Sequence, residues 1–344
     1  MGGEHDSIHD TERLRDELLK IAFGMWDHIK NRGDHGAENW ALDWVGFLPG
    51  KRESRRYVGD HILTQNDVRA EGRFDDIVAY GGWSMDDHHP AGFRHPGEPT
   101  IFHPAPSPYG IPYRCLYSRN IENLFFAGRN ISVTHAAMSS TRVMATCALL
   151  GQAAGTAASI ALARGLSPRG VYEKEITLLQ ETLMDDDAYL PWKKRSVSDL
   201  SRGARLTASA GDPEPLRNGI DRPVGDALNA WQGPCGSAIE YRFGKAVTLR
   251  EARLVFDSDL DRGDRNMISY YTRQVPSFCV PATLVKAFHL DVETNGAWAT
   301  VHRNENNYQR LVRVPLDRTA TAVRLVPDAT WGAPAASIFG LEIR

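Results

Sequence analysis

One stretch of the chain, residues 123–164, constrains the fold more than any other. It opens with the apolar run 124–127, stops at Gly128, continues as a polar loop, and then runs without proline through small and apolar residues to Arg164. A strand, a glycine turn, a loop and a buried helix in this order are typical of an α/β unit that binds a nucleotide. We therefore predict a strand over residues 124–127 and a helix that begins near residue 141.

The predicted helix begins beside three hydroxyl side chains, those of Ser139, Ser140 and Thr141. Such side chains accept hydrogen bonds from the free N–H groups of a first helical turn, so we predict that they cap this helix. A helix N-terminus carries partial positive charge and favours a polar or anionic ligand group. Small residues inside the helix allow another element to pack close to its backbone: Gly151, Ala154, Gly155 and Ala158.

The sequence between residues 44 and 191 contains ordered blocks that carry a family resemblance. They are, in chain order, GKRESRR, YGGWSMDDHH, IPYRCLY, AGRNIS, STRVM and GQAAGTAA. The series resembles the C-terminal, flavin-contacting part of the FAD-dependent oxidoreductase family, whose members often carry a C-terminal β-sandwich. The resemblance implies FAD as the cofactor. It also implies an α/β fold, the incomplete FAD-binding portion of a glutathione-reductase-like domain, followed by an all-β jelly-roll sandwich.

In this family the AGR loop lies along the FAD, and the next helix points its N-terminus at the isoalloxazine ring. The resemblance therefore implies that the flavin ring lies against the turn at Gly128 and the start of the following helix. The cofactor-binding residues implied in this way are Gly128, Arg129, Asn130, Ser140, Thr141, Arg142 and Val143.

One motif of the family does not occur in residues 1–344. The family binds the ADP half of FAD with a G-x-G-x-x-G turn after its first strand. Here Gly81 and Gly82 are followed by Trp83, and the glycines of residues 233–236 fall among sandwich-type strands. We therefore expect a subunit or a truncated form of a flavoenzyme, completed by a companion chain or an upstream segment that carries the Gly-rich unit.

The block KRESRR, residues 51–56, holds four cations in six positions. By itself this composition is typical of a solvated face, and pairing with Glu53 is a structural alternative. The resemblance places the block beside the active-site cavity, where an arginine binds an anionic or hydroxylated substrate, or the flavin edge, through charge-assisted hydrogen bonds. The candidate substrate-binding residues are Arg52, Arg55 and Arg56 and, from the block IPYRCLY, Tyr113, for which a buried aromatic is the alternative.

Three histidines are candidates for catalysis. His88 and His89 follow two aspartates, and D-D-H-H in immediate succession is poor spacing for a tetrahedral metal site, so we predict no metal. We interpret this segment as an active-site loop in which His88 or His89 meets the substrate as a general base or hydrogen-bond donor, with ordinary polar loop residues as the alternative. His135, before the flavin-facing helix, is the third candidate, with a structural role as the alternative.

Two amphipathic helices flank these blocks. Residues 11–32 repeat apolar side chains at helical spacing. Residues 171–184 form the other, which we expect to end before the acidic run 185–187, because negative charge is unfavourable at a helix C-terminus. A short aromatic and basic segment then separates two predicted domains, 1–197 and 198–344.

Beyond Leu206 the apolar period changes to two. Ile239, Tyr241 and Phe243 alternate with polar residues, and the same pattern recurs as far as Ile343, with turns between the segments. About 145 residues of this kind indicate a β-sandwich.

The start of this second region is similar to a galactose-binding-like jelly roll, a type of domain that often binds sugars or a calcium ion. The resemblance implies Trp231 or Trp298 as a stacking platform for a sugar, and a position in the core is the alternative.

Composition argues against several kinds of partner. The net charge of −3 gives no electrostatic reason to expect nucleic acid or an anionic membrane. No stretch reaches the ~18 uninterrupted apolar residues that span a bilayer, and no signal peptide is visible. The four cysteines are widely spaced and form no C-x-x-C pair, which favours reduced thiols. We therefore expect no nucleic-acid partner, no membrane and a cytoplasmic location.

Two functions are compatible with the sequence. The first is an FAD-dependent oxidoreductase, as a subunit or truncated form, that builds the flavin-ring and substrate side of a site for hydride transfer from a small polar substrate, with a sugar-like ring as one candidate. The second is a non-catalytic carbohydrate-binding or docking protein with a degenerate flavin domain. Flavin absorption by the purified chain distinguishes the two.

Overall fold

The chain folds into two units, each with a core of its own. The computed structural model describes residues 3–51, 53, 55–260 and 280–344. Unit 1 comprises Met1–Leu183 and Ala188–Pro191, and unit 2 comprises Met184–Asp187 and Trp192–Arg344. The boundary predicted at residue 197 falls shortly after the main segment of unit 2 begins.

Unit 1 combines helices with two small antiparallel sheets. Its helices are α1 Thr11–Asn31, α2 Gln65–Arg69, α3 His135–Thr141, α4 Met144–Arg164 and α5 Pro168–Asp185. Its strands are β1 Ile77–Gly81, β2 Met85–His88, β3 Thr100–His103 and β4 Tyr109–Pro112. Strand β1 pairs with β4, and β2 pairs with β3. The prediction of an α/β region before a β-sandwich is confirmed.

Both predicted amphipathic helices are present. In α1, Glu12 lies in the first turn, and His28 and Lys30 lie in the last, which matches side-chain charge to the helix dipole. Helix α5 is kinked at Glu175, where φ is −132° and ψ is 19°. It ends at Asp185, which already belongs to unit 2, rather than before the acidic run.

The strand predicted over residues 124–127 does not form. The segment makes only an isolated antiparallel bridge, between Tyr117 and Phe125. The Ser118 N–H donates to the Leu124 carbonyl at 2.9 Å, and its neighbours pair in the same way over one short stretch. Within the described residues, no second neighbouring strand extends this pairing, so the apolar run is a loop in which Phe126 is buried and Leu124 is exposed.

The helix predicted to begin near residue 141 is two helices. Helix α3 ends at Thr141, and α4 begins at Met144 after a break at residues 142 and 143. The prediction that hydroxyl side chains cap the long helix is wrong, because those hydroxyls lie inside α3. The Ser139 hydroxyl donates to the Ala136 carbonyl at 2.6 Å in the same helical turn.

Helix α4 buries one face and exposes the other. Leu150, Ala153 and Ala157 are buried in the core of unit 1. On the opposite face, a Cβ added at Gly151 or Gly155 would meet no atom within 4 Å. Among the described residues, nothing therefore packs against the small side chains of that face.

The same helix, Met144–Arg164, is long and apolar enough to cross a bilayer by length and composition alone. It is the one helix in the described ranges with this property, and 33% of its most apolar window is buried. The core helix of a soluble protein passes the same test.

Unit 2 is built almost entirely of antiparallel strands. They are β5 Arg205–Ala208, β6 Trp231–Pro234, β7 Ile239–Phe256, β8 Val285–Thr294, β9 Ala297–Asn304, β10 Leu311–Thr330 and β11 Ala335–Ile343, preceded by the short helix α6 Asp199–Gly203. The strand order is β6-β11-β7-β10-β8-β9, and β5 also pairs with β7.

Two long strands, β7 and β10, belong to both layers of the sandwich. Strand β7 pairs through its first residues, 239–242, with β5 and through its last residues, 252–256, with β11. The pairing of β10 with β7 shifts register between Pro315 and Arg318 and again near Ala320, where the strands turn from one layer to the other. Apolar side chains from both halves share one core, as the period-two pattern predicts.

The two tryptophans implied as sugar platforms do not present free rings. Trp231 is fully buried in the sandwich core, and its indole N–H donates to the Ala210 carbonyl at 2.7 Å. For Trp231 the alternative of a core position is therefore the correct one, since a buried ring offers no face to a ligand. One face of Trp298 is covered by the Arg324 guanidinium, 4.4 Å from the ring centroid.

Arginines of the sandwich strands hold the acidic run 185–187. Arg313 and Arg344 both bind the Asp185 carboxylate, and the fully buried Arg253 lies 3.2 Å from it. Burial raises the pKa of Asp185, but hydrogen bonds from Arg344 and Arg313 outweigh that effect and hold the pKa well below its ordinary value. The charged carboxylate is thus a structural part of unit 2.

Replacement of Asp185 by asparagine is expected to destabilise unit 2 at pH 7. Three arginines lose their shared anion, and we expect a loss of roughly 1–3 kcal/mol in the free energy of unfolding, measured by urea denaturation. Because the folded-state pKa is depressed, this stabilisation is present above the unfolded pKa of about 3.9 and is lost as the pH falls below it. The difference between the two proteins therefore narrows below about pH 4.

The control is Asp199→Asn, since the Asp199 carboxylate pairs with Arg202 at the surface with 93% of its side chain exposed. An equal loss in both variants, or a loss at Asp185 that does not change with pH, contradicts the structural role.

Candidate active-site groove

At the centre of the candidate site an imidazole lies between two carboxylates. His135 Nδ1 is 2.8 Å from Glu53 Oε1, and His135 Nε2 is 2.9 Å from Asp87 Oδ1. The imidazolium form donates to both carboxylates, whereas a neutral ring donates to only one of them. The arrangement can therefore take up a proton at the ring and pass it to either carboxylate.

Three separate segments contribute to this cluster. His135 begins α3, Asp87 lies in β2, and Glu53 follows the turn at residues 49–50. Side chains alternate along β2, so Asp87 shares a face with the buried Met85 and lies towards α3. Packing of Met85 in the core thus fixes the direction of the Asp87 carboxylate.

Helix α3 is fastened under the β2 strand by one buried hydroxyl. Ser140 Oγ donates to the Trp83 carbonyl at 2.6 Å, and the Tyr109 hydroxyl oxygen lies 2.6 Å from Ser140 Oγ. Burial raises the pKa of Tyr109 to about 12, so the phenol stays protonated and donates. These bonds hold the last turn of α3 against the segment that leads into β2.

Arg56 closes the cluster on its far side. Its guanidinium pairs with Glu53, and Nη1 lies 3.3 Å from the Met138 sulfur. Burial lowers the pKa of Arg56, because a cation loses hydration there. Arg56 and His135 therefore share the Glu53 carboxylate. For Arg56 this is the alternative of pairing with Glu53 that the sequence left open.

His88 is fixed at both ring nitrogens. Nδ1 lies 2.9 Å from the Thr100 hydroxyl oxygen, and Nε2 lies 3.4 Å from Arg142 Nη2, which also donates to the Asp86 carbonyl. Because arginine only donates, Nε2 is the accepting nitrogen and Nδ1 carries the proton.

His89 has a different environment. Its ring stacks on His95 with centroids 3.7 Å apart, and its Nδ1 accepts a hydrogen bond from the Ala91 N–H at 3.2 Å. The ring is thereby held at a fixed orientation.

A groove of about 780 Å³ runs past all three candidate histidines. Its walls include His88, His89 and His135 together with Glu53 and Arg56. Residues at the start of the chain and from α1 form the opposite wall. The structure thus brings together all three histidines singled out in the sequence, and their catalytic roles stay predictions.

A smaller pocket of about 270 Å³ adjoins the groove and shares Lys51, Glu53 and Arg56 with it. Arg55 from the KRESRR block and Arg129 from the AGR loop line this pocket together. Arg52 lies outside the described residues.

Tyr113 lies away from both cavities. It is fully buried, and its hydroxyl donates to the Pro168 carbonyl at 2.8 Å. The structure assigns it to the core of unit 1 and so corrects its place among the substrate-binding candidates, because its one polar atom is already engaged.

The residues implied for the cofactor lie in two places. Gly128 has φ +64°, a conformation that favours glycine, and a Cβ built there would meet no atom within 4 Å. Thr141 is 1% exposed, and its hydroxyl has no hydrogen-bond partner among the described residues. Val143 occupies the N-cap position of α4 and supplies no side-chain cap.

Residues 4–183 match the family model described as FAD dependent oxidoreductase, which is more than half of the 344-residue chain. The chain belongs to the FAD-dependent oxidoreductase family. No curated protein matches this member of the family.

Carbohydrate-binding modules are among the solved structures that are similar to the chain, and the similarity lies in its C-terminal region. A family 32 module from Streptococcus pneumoniae EndoD is 17% identical, with a TM-score of 0.33, over 43% of this chain and 99% of the module. A chitosan-binding module from a Paenibacillus sp. IK-5 chitosanase/glucanase is 15% identical, with a TM-score of 0.30, over 43% and 98%. A family 32 module of Clostridium perfringens NanJ, in complex with galactose, is 12% identical, with a TM-score of 0.28, over 42% and 95%.

The residues around the start of α4 fit the flavin that the family implies. The first N–H groups of α4 lack a side-chain cap, and the buried Thr141 hydroxyl lacks a partner among the described residues. Both kinds of group need hydrogen-bond partners, and the polar edge of a flavin ring offers donors and acceptors. Ser140 does not belong to this set, because its hydroxyl is used by Trp83 and Tyr109.

Sequence reasoning found the histidines but missed their carboxylate partners. Glu53 and Asp87 are 82 and 48 residues from His135 in the sequence, and no local spacing reports such a contact. The one available signal was that both carboxylates lie inside the blocks KRESRR and DDHH that carry the family resemblance.

Replacement of Ser140 by alanine is expected to loosen α3 from β2. The Trp83 carbonyl and the Tyr109 hydroxyl both lose a partner in the core, so we expect the free energy of unfolding to fall by roughly 1–3 kcal/mol. Ser139→Ala, which removes a bond within one helical turn, is expected to cost less than about 1 kcal/mol. The free energies of unfolding of the two variants are measured by thermal and urea denaturation. Equal losses of stability in both variants argue against this role of Ser140.

Proposed function

We propose that this chain builds the flavin-ring and substrate side of an FAD-dependent oxidoreductase that transfers hydride from a small polar, sugar-like substrate. The observation that carries the proposal is the Glu53–His135–Asp87 cluster on a groove that His88 and His89 also border. Three imidazoles and one carboxylate line this cavity, a second carboxylate bonds to His135, and such a set is suited to acid–base chemistry. Membership of the family favours FAD as the redox cofactor.

FAD, when bound, supplies the hydride acceptor. In this proposal the backbone of the turn at Gly128–Asn130 and the first N–H groups of α4 hold the ring side of FAD, with the Thr141 hydroxyl as a further hydrogen-bond donor. The positive end of α4 favours negative charge near it. Arg142 keeps a supporting role, because it binds the Asp86 carbonyl and so ties the start of α4 to β2.

The groove residues handle the proton that leaves the substrate when a C–OH group is oxidised. An imidazole on the groove accepts the hydroxyl proton, and His135 delivers a proton to Glu53 or Asp87 across less than 3 Å. Arg56 stabilises the negative charge of Glu53 and keeps its oxygen aimed at the ring.

The ADP half of FAD is, in this proposal, held by residues outside this sequence, on a companion chain or an adjoining segment. Residues 1–344 contain no G-x-G-x-x-G turn.

The cytoplasmic location is part of the same proposal. Cys115, Cys147 and Cys235 are free thiols, which suits a reducing compartment, and Cys279 lies outside the described residues.

Riboflavin is the sharp probe of this proposal, because it contains the ring and the ribityl chain but no ADP. We expect riboflavin and FAD to bind the purified chain with affinities within about tenfold of each other, measured by quenching of flavin fluorescence, and ADP not to compete. Gly128→Ala strains the turn at positive φ and is expected to weaken riboflavin binding about tenfold.

The matched control is Gly165→Ala. Gly165 ends α4 at the same φ of +64°, also with no atom within 4 Å of a built Cβ, but it lies at the other end of the helix. We expect a similar loss of stability and unchanged flavin affinity. Absence of riboflavin binding, or equal effects of both variants, contradicts the proposed flavin site.

A second candidate function is supported by one observation in unit 2. The Tyr308 ring is 62% exposed and packs on Trp331 with centroids 4.7 Å apart. The Trp331 indole N–H donates to the Asn307 carbonyl at 2.7 Å, and the Lys286 ammonium lies 5.0 Å from the Trp331 ring centroid. A fixed, exposed aromatic ring is a stacking platform for a sugar, so carbohydrate binding by unit 2 is the alternative.

A glycan array with the full chain tests this alternative. If unit 2 binds carbohydrate at this platform, Tyr308→Ala loses the signal and Phe102→Ala, at an exposed ring of unit 1, keeps it. Retention of binding by Tyr308→Ala, or absence of any glycan signal from the wild-type chain, argues against it.

A further inference from the structure

The pocket beside the groove carries an excess of positive charge. Four cationic side chains line it, Lys51, Arg55, Arg56 and Arg129, against the single carboxylate of Glu53. Three of them come from the KRESRR block around Glu53, and Arg129 comes from the AGR loop, which is far away in the sequence. Two segments therefore direct like charges at one small space.

The single carboxylate does not balance this charge. Glu53 already binds Arg56 and His135. Within the described part of the chain, Lys51, Arg55 and Arg129 have no carboxylate within 4 Å. Like charges held together repel each other unless an anion joins them, so the pocket is complementary to an oxyanion.

The size of the pocket limits what it holds. Its volume of about 270 Å³ lies below the ~300–1,000 Å³ of complete small-molecule sites, so it accommodates one end of a ligand. It shares Lys51, Glu53 and Arg56 with the larger groove. An anionic group bound there thus belongs to a molecule whose remainder lies in the groove beside the histidines.

We propose that this pocket binds the carboxylate of an acidic substrate, with Arg55 and Arg129 as its hydrogen-bond donors. The planar guanidinium fork matches a carboxylate with two parallel hydrogen bonds, and Lys51 adds a third positive charge. The substrate is then a small hydroxy acid or a uronic acid, anchored by its acidic end so that a hydroxyl-bearing carbon faces the groove. This inference rests on the proposed function, which assigns the groove to the substrate.

The test compares two sugars that differ only in the acidic group. Isothermal titration of the full chain with D-glucuronate and with D-glucose is expected to show binding of glucuronate that is at least about tenfold tighter. Arg55→Gln is expected to weaken glucuronate binding about tenfold or more, as for loss of a hydrogen bond to a charged group, and to leave riboflavin binding unchanged. Arg73→Gln is the control, because Arg73 pairs with Glu71 at the surface of the same unit.

Three results overturn the inference. They are equal affinities for glucuronate and glucose, glucuronate binding that Arg55→Gln leaves intact, and displacement of glucuronate by ADP at lower concentration, which assigns the pocket to the cofactor. Riboflavin titration separates this inference from the proposed function. If the chain binds riboflavin but not glucuronate, only the acidic substrate is contradicted. If it binds glucuronate but not riboflavin, the flavin site is contradicted and the oxyanion pocket is supported.

Discussion

The bond from the Ser140 hydroxyl to the Trp83 carbonyl is the interaction on which the candidate site depends. It joins the last turn of α3 to the segment just before β2, and the buried Tyr109 phenol forms a hydrogen bond with the same Ser140 hydroxyl. With this contact in place, the first residue of α3 lies opposite the Asp87 carboxylate, and α4 begins directly after. This buried hydroxyl therefore helps to position both the proton-handling cluster and the proposed flavin-facing helix end.

Charge is arranged in opposite ways in the two units. In unit 2, Asp185 and its arginines neutralise one another, and burial makes each partner costly to remove. In unit 1, the pocket near Arg129 leaves three cations without a carboxylate among the described residues. The first arrangement stabilises a fold, whereas the second stores electrostatic repulsion that a bound anion relieves.

Much of the architecture was predictable because it depends on local periodicity. The amphipathic pattern gave α1, and alternation gave strands such as β7 and β11. The division between α3 and α4 was not predictable, since the hydroxyls at residues 139–141 look like caps until their partners in the core are known. The burial of Trp231 depends in the same way on which layer of the sandwich covers it.

The candidate site follows the same rule. The blocks of sequence identified the correct segments, and the histidines and arginines could be chosen from them by residue type. The sequence could not show which charges pair with one another. Three arginines lie near Glu53 in the sequence, and in the structure Glu53 pairs with Arg56 and with His135, a residue far along the chain. Pairing of this kind is decided by three-dimensional packing.

The continuity of β7 and β10 through both layers has a mechanical consequence for unit 2. A sandwich of two independent sheets opens by sliding one layer off the other, but here that motion would tear the hydrogen bonds of two strands along their whole length. The layers are therefore expected to open together, and local opening is expected to begin at the strands with a single neighbour, β5, β6 and β9. The sandwich behaves as one folded ribbon rather than as two stacked plates.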